Sequence, residues 1–219
     1  LTLHLHISTH LAAETRFPWV QLTYFSVKSV TLQEVIDAFA FMSALQVCNL
    51  TDCEGMIYSP TDLVHLPHLQ TLELIGSNPQ HHLIRYIIAP LLTDLKLEGS
   101  ADPPFRYGCY IHPGVCVLSF LEHSPCRLTR VLIDSTGGES EDYVISILQR
   151  IPTLTELFLL GWFALDDKLL DRIFSKSHYR QCLFPNLKHF GVCVELRHTG
   201  EFLTGFLPRL EGARLHQGV

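Results

Sequence analysis

The sequence predicts an α/β solenoid, a single coil curved like a horseshoe, with parallel strands along its concave side and helices along its convex side. Three observations carry that expectation. A pattern of apolar-x-x-apolar-x-apolar, led each time by leucine, returns eight times. Between its copies, apolar residues recur with the i, i+3, i+4, i+7 spacing of a helix face. Proline stands two residues before the leading leucine in five of the eight copies, at Pro67, Pro90, Pro152, Pro185 and Pro208.

The copies are Leu22/Phe25/Val27, Leu45/Cys48/Leu50, Leu69/Leu72/Leu74, Leu92/Leu95/Leu97, Leu128/Val131/Ile133, Leu154/Leu157/Leu159, Leu187/Phe190/Val192 and Leu210/Ala213/Leu215. Their leading residues lie 23, 24, 23, 36, 26, 33 and 23 positions apart. A step of this size built on L-x-x-L-x-L is the period and motif of a leucine-rich repeat. In such a unit the three apolar positions turn inward from a short strand, and the rest of the repeat returns over the far side of the core. Leu3 and Leu5 stand 22 residues before Phe25 and Val27, so a further repeat is already under way at the first residue, which is Leu1 and not Met. The expectation is one leucine-rich-repeat domain over residues 1–219, of about eight to nine repeats, truncated at its amino end.

The return segments read as helices. Leu32, Val35, Ile36 and Phe39 make one apolar face, and Thr31 with Glu34 forms a capping-box signature at its start. Leu83, Ile84, Ile87 and Ile88 repeat the face, as do Val144, Ile147, Leu148 and Ile151, then Leu169, Leu170, Ile173 and Phe174. In five copies proline ends the return, because it cannot continue a helix and biases its predecessor toward extended geometry. An ordinary βαβ domain could show the same pieces but has no reason to hold a fixed period. Two long spacings imply insertions, around residues 99–114 and 175–184. The first carries Phe105, Tyr107 and Tyr110 among Pro103, Pro104 and Pro113. Such aromatics serve either as partner anchors or as cover for the core.

Hydrophobic residues make up 47% of the chain and charged residues 17%, enough for a large core and too apolar for a disordered segment. A formal charge of −6 argues against nucleic acid and anionic membrane as partners. The longest nearly apolar stretch, residues 157–165, is too short to span a bilayer, and no secretion signal is visible at the start. Seven cysteines, Cys48, Cys53, Cys109, Cys116, Cys126, Cys182 and Cys193, form an odd set with no C-x-x-C pair. Cys48 falls on a core position and Cys53 on the N/C position of the repeat, which points to reduced thiols and an intracellular protein, in cytoplasm or nucleus. Asn49-Leu50-Thr51 matches a glycosylation acceptor but falls within a strand.

Chemistry is weakly signalled. Cys109, His112, Cys116, His123 and Cys126 lie within 18 residues, the best case for a metal-dependent domain, yet their spacing matches no structural zinc pattern. His4 and His6 alternate outward on the first strand, and His81-His82 open a helix, positions that suit solvated or partner-facing side chains. Asp166-Asp167 opens the helix carrying Leu169, where negative charge suits the dipole. No nucleophile elbow, phosphate loop, zinc-protease or dinucleotide motif occurs. The chain therefore reads as a non-enzyme without metal or cofactor.

With strands, returns and prolines in this order, the chain resembles the leucine-rich-repeat region of F-box proteins, in the divergent form found in mushroom-forming fungi. The carriers are Phe17-Pro18-Trp19-Val20-Gln21-Leu22-Thr23, Leu66-Pro67-His68-Leu69-Gln70-Thr71-Leu72, Ile151-Pro152-Thr153-Leu154-Thr155-Glu156-Leu157 and Phe184-Pro185-Asn186-Leu187-Lys188. The resemblance implies a ubiquitin-ligase adaptor whose repeats hold a protein substrate. It also implies a Skp-type adaptor as a second partner, bound through an F-box that this sequence does not show. A repeat scaffold or inhibitor-like binder unrelated to ubiquitin stays open beside it.

Outward positions on the strands would form the partner face. There Glu73, Asp94, Glu98, Asp134 and Glu156 would gather acid at mid-array around Arg130, with Leu132, Phe158 and Leu160 exposed beside them. An apolar centre with a polar rim is how interfaces concentrate binding energy. The expected occupant is a protein segment bearing basic and apolar residues, with Phe158 as the anchor.

Overall fold

Alternating apolar and polar residues place side chains on opposite faces of an extended strand, and the repeated pattern does this throughout. The computed structural model describes residues 1–6, 17–55, 57, 63–76, 78–99, 113–134, 141–160 and 186–193. The strands that the pattern marks are β1 (Thr2–His6), β2 (Tyr24–Lys28), β3 (Val47–Thr51), β5 (Thr71–Gly76), β7 (Asp94–Gly99), β8 (Arg130–Asp134), β9 (Glu156–Leu160) and β10 (His189–Cys193). They form one eight-stranded sheet in the order β1-β2-β3-β5-β7-β8-β9-β10. Every pairing is parallel, and each keeps equivalent repeat positions opposite one another, as in Phe25↔Cys48, Leu72↔Leu95 and Val131↔Leu157. The fold is thus mixed α/β around a parallel sheet. Residues 194–219, which hold the eighth copy Leu210/Ala213/Leu215, lie outside the described residues, as do residues 100–112 of the first insertion and residues 161–185 with the second insertion, Asp166-Asp167 and the helix expected there.

Below each strand a short ladder fixes the register. The residue after each leading leucine offers its carbonyl to two backbone N–H groups of the next repeat. Thr23 accepts from Gln46 and Val47, Gln46 from Gln70 and Thr71, Gln70 from Thr93 and Asp94, Thr93 from Thr129 and Arg130, and Thr129 from Thr155 and Glu156, at 2.8–3.1 Å. Where that residue is threonine, its hydroxyl reinforces the step: Thr93 Oγ1 donates to the Gln70 carbonyl at 3.2 Å and Thr155 Oγ1 to Thr129 at 2.9 Å.

Five of the strands are entered through the same tight turn. The N–H of the leading leucine donates to the carbonyl three residues back, Trp19 to Leu22, Met42 to Leu45, Leu66 to Leu69, Ala89 to Leu92 and Ile151 to Leu154. Pro67, Pro90 and Pro152 therefore sit at the second position of a β-turn, where a fixed φ is favourable. Their role is to shape the entry turn as much as to end a helix. Exit is alike in three successive repeats, where the residue seven places after the leading leucine has positive φ, at Ser29 (59°), Asp52 (48°) and Gly76 (139°).

Inside the sheet the three apolar positions meet. From Leu22 to Leu159 each is at most 3% exposed, and Leu187 extends the row at 8%. Full burial of such a side chain contributes about 1.5–3 kcal/mol, so these rows outweigh any single surface contact. At the amino end Phe17, Trp19, Phe25 and Phe39 continue the core as a chain of tilted rings 4.8–6.4 Å apart.

The returns are more varied than the periodicity predicts. Helix α1 (Leu32–Phe39) forms where expected, with both halves of the capping box made between Thr31 and Glu34. Helices α2 (Pro113–His123) and α3 (Glu141–Gln149) follow further on and pack against each other. The helix face at Leu83 to Ile88 does not form as such. Residues Asn78–Tyr86 are 3-10 helix, and Ile87–Ile88 become strand β6, paired in parallel with β4 (Val64–His65). A short apolar run fits either state by pattern, and the Leu66 N–H bonding to the Ile88 carbonyl at 2.8 Å secures the extended one. Ser124 and His123 then tie α2 to that segment. The Ser124 hydroxyl accepts from Ala89 N–H at 2.8 Å, and His123 Nε2 donates to the Ile87 carbonyl at 3.1 Å. Among the described residues no helix is long and apolar enough to cross a membrane.

One expectation is overturned here. His81 is not solvated: it is fully buried, and neither ring nitrogen has a hydrogen-bond partner among the described residues. The 3-10 segment turns it inward while packing against α2, and burial together with neighbouring His82 lowers its pKa from 6.5 to about 4.

Between those values the unfolded chain binds a proton that the folded chain refuses. Stability is therefore complete above pH 6.5 and declines as pH falls toward 4, by about 3 kcal/mol in total. Urea titrations at successive pH values should show this decline, and His81→Leu should flatten it. A profile unchanged by the substitution would contradict the assignment. Leu95→Ala, in the middle of the buried rows, should cost about 2–5 kcal/mol in the same assay.

Candidate functional site

The strand alternation that buries leucines leaves a second set of side chains on the open face of the sheet. The register aligns them in rows across the strands. One row reads Tyr24, Val47, Thr71, Asp94, Arg130, Glu156, His189, and the next Ser26, Asn49, Glu73, Lys96, Leu132, Phe158, Gly191. A third runs Lys28, Thr51, Ile75, Glu98 and, beyond β7, Asp134 and Leu160. All nine residues expected on the partner face, Glu73, Asp94, Glu98, Arg130, Leu132, Asp134, Glu156, Phe158 and Leu160, lie on this face between β5 and β9.

The acidic strip is interrupted by cations. Arg130 bridges two neighbours, with Nη1 3.4 Å from Asp94 Oδ2 and Nε 3.5 Å from Glu156 Oε2. Its guanidinium carbon also stands 5.9 Å from the centroid of the Phe158 ring, a cation–π contact. His189 Nδ1 lies 3.5 Å from the other oxygen of Glu156, and Lys96 lies 2.8 Å from Glu98. These side chains are all partly exposed, so each pair contributes at most about 1 kcal/mol. Their effect is to hold geometry: Arg130 fixes two carboxylates and one aromatic ring at once.

Two carboxylates are left over. Among the described residues Glu73 and Asp134 have no ion-pair partner, and Asp134 sits between Glu98 and Leu160. Partial burial raises the pKa of Asp134, and the charge of Glu98 raises it further. Asp94 is also raised, chiefly by burial, with Arg130 pulling the other way. The twelve outward positions of β5, β7, β8 and β9 hold five carboxylates against two cations, so the face stays negative.

Leu132, Phe158 and Leu160 are half-buried, neither core nor fully open. The ring of Phe158 leans over Gly191 of the next strand. A β-carbon there would stand 2.5 Å from Phe158 Cδ1 and 2.9 Å from Cε1, so the absence of a side chain at Gly191 is what gives the ring its place. Gly191 and His189 thus belong to the site, although motif reading singled out neither. Their signal was positional, since both share rows with Phe158 and Glu156. On the amino half of the face, Asn49 Nδ2 donates to the Tyr24 hydroxyl at 3.1 Å, which engages the side chain of the glycosylation motif.

The cysteine–histidine cluster is not assembled among the described residues, where no group of three or more metal-ligating side chains converges. Cys109 and His112 lie outside them. Cys116 is buried in α2, and Cys126 is half-buried with its thiol pushed up to about 11 by desolvation. Cys48 and Cys53 are buried as expected, the first raised well above the ordinary thiol value and the second to about 11, by desolvation in both cases. Such thiols are unreactive at neutral pH.

Compared with family models, curated proteins and solved structures, the chain matches none of them.

If Arg130 organises the face, Arg130→Gln should raise the pKa of Asp94 further, because the group lowering it is gone. Carboxyl-carbon NMR titration reads this directly. An unmoved Asp94 would mean that the bridge is absent in solution. Stability should change by less than about 1 kcal/mol.

Proposed function

We propose that this chain is a leucine-rich-repeat solenoid acting as a protein–protein interaction module, the substrate-recognition part of an F-box-type ubiquitin-ligase adaptor. The observation that carries the interaction reading is the open face itself. Side chains from four consecutive strands present half-buried apolar groups inside a charged frame, and that frame is pre-set by Arg130. Preorganised apolar centres with polar surrounds suit protein partners. The concave face takes a segment with a basic residue for Asp134 and Glu98, and an apolar residue for Phe158, Leu132 and Leu160.

The ubiquitin link rests on the phrase resemblance alone, and a repeat scaffold unconnected with ubiquitin has the same face. The two readings separate in the full-length protein. Co-purification with a Skp-type adaptor that depends on a helical segment upstream of Leu1 supports the ligase role, and co-purification without such dependence removes it.

For the face, Phe158→Ala should weaken binding of a captured partner by about 1–3 kcal/mol while the unfolding midpoint holds. Gly191→Ala should do likewise by displacing the ring. Full affinity in both variants would reject the face, and global unfolding of Phe158→Ala would make that residue core instead.

A further inference from the structure

Granted the open face as the interaction surface, on which this reading rests, we infer that its occupant is an extended segment lying across the strands, with an apolar anchor and basic residues two and four positions from it. The basic residue four positions away pairs with Glu73, a carboxylate that the ion pairs of the face leave unused. Glu73 is half-buried on β5 and has neither ion-pair nor hydrogen-bond partner among the described residues.

Register sets the direction of the segment. Phe158 stands opposite Leu132, Leu132 opposite Lys96 and Lys96 opposite Glu73, so the four share one row across the strands. A segment lying along the strands meets Phe158 or Glu73 but never both. Three strand steps of about 4.8 Å separate the two by about 14 Å. In an extended chain alternate side chains face the sheet, and four residues cover about 13 Å. A helix returns to one face after seven or eleven residues, at about 10.5 and 16.5 Å, and misses the interval on either side. Strands β5, β7, β8 and β9 are each paired on both sides. Their backbone groups are taken up within the sheet, so the occupant is read through side chains.

Charge along the row fits that order. Phe158, Leu132 and Leu160 take the apolar residue. The next residue to face the sheet passes between Leu132 and Lys96. From there Asp134 lies one row away, about 7 Å along the strand, within reach of a lysine or arginine stem. Lys96 is drawn toward Glu98 at 2.8 Å, and Arg130 is held by Asp94 and Glu156. Glu73 is therefore the carboxylate waiting at the end of the path. With five carboxylates against two cations on these strands, the face repels an acidic segment or a phosphate chain.

The test uses fluorescent capped peptides of about 12 residues, long enough for every spacing compared, titrated against the full chain by anisotropy. Each carries one leucine, an arginine two positions from it and serine elsewhere. A second arginine stands three, four, five or seven positions from the leucine, so the four are isomers of equal charge, each made in both chain directions. The four-position peptide should bind about fivefold tighter than its isomers. Glu73→Gln should erase that preference while the unfolding midpoint holds, and Phe158→Ala should weaken all four peptides. Binding that depends on Phe158 but shows no preference for four positions, or a preference that survives Glu73→Gln, overturns this inference and leaves the interaction reading standing. Tightest binding of the seven-position peptide overturns it in favour of a helical segment. Binding by none of the peptides, or binding indifferent to Phe158→Ala, removes the interaction reading of the face itself.

Discussion

No repeat of this chain can bury its own apolar edge. Two inward side chains on a short strand, with the leading leucine just before it, have strand neighbours only above and below, so Leu72 is shielded by Cys48 on one side and Leu95 on the other. Everything else follows from that dependence. Stacking demands parallel strands in chain order, parallel strands demand a return segment, and the return demands a turn at each end. The ladder of paired N–H groups on single carbonyls converts the apolar stack into a fixed register. Burial supplies the energy and hydrogen bonding supplies the alignment.

That division explains which parts of the fold were legible in the sequence. Strand positions are written in a pattern of period two, reinforced by leucine at matched intervals, and every copy from Leu22 to Phe190 falls on or beside a strand of the sheet. The capped helix at Leu32–Phe39 was equally plain, because cap chemistry and face agree. The return at Leu83 to Ile88 was not. Four apolar residues satisfy a helix or a buried extended segment equally, and the choice was made by pairing with Val64 and His65, residues outside any motif. His81 defeated the reading for a related reason. A polar residue type in an apparently exposed helix start says nothing about a 3-10 segment that rotates it inward.

The site was legible as a list of residues but not as an arrangement. Alternation alone assigns Glu73, Asp94, Glu98, Arg130, Leu132, Asp134, Glu156, Phe158 and Leu160 to one face. It does not reveal that Arg130 is shared by three neighbours, that Asp134 is left without a cation among the described residues, or that Phe158 depends on Gly191. Those facts belong to side-chain reach across strands, a distance that sequence order conceals.

The step from Leu92 to Leu128 is 36 residues where others are 23, yet Asp94 faces Arg130 and Leu95 faces Val131 without a slip. A return may therefore lengthen or shorten while the strands it connects stay in phase. Each excursion is an independent appendage on a common spine. Selection can rewrite an excursion, or exchange it wholesale, while the neighbouring repeats keep their geometry. Novelty in such a chain accumulates as added length before it alters the spine.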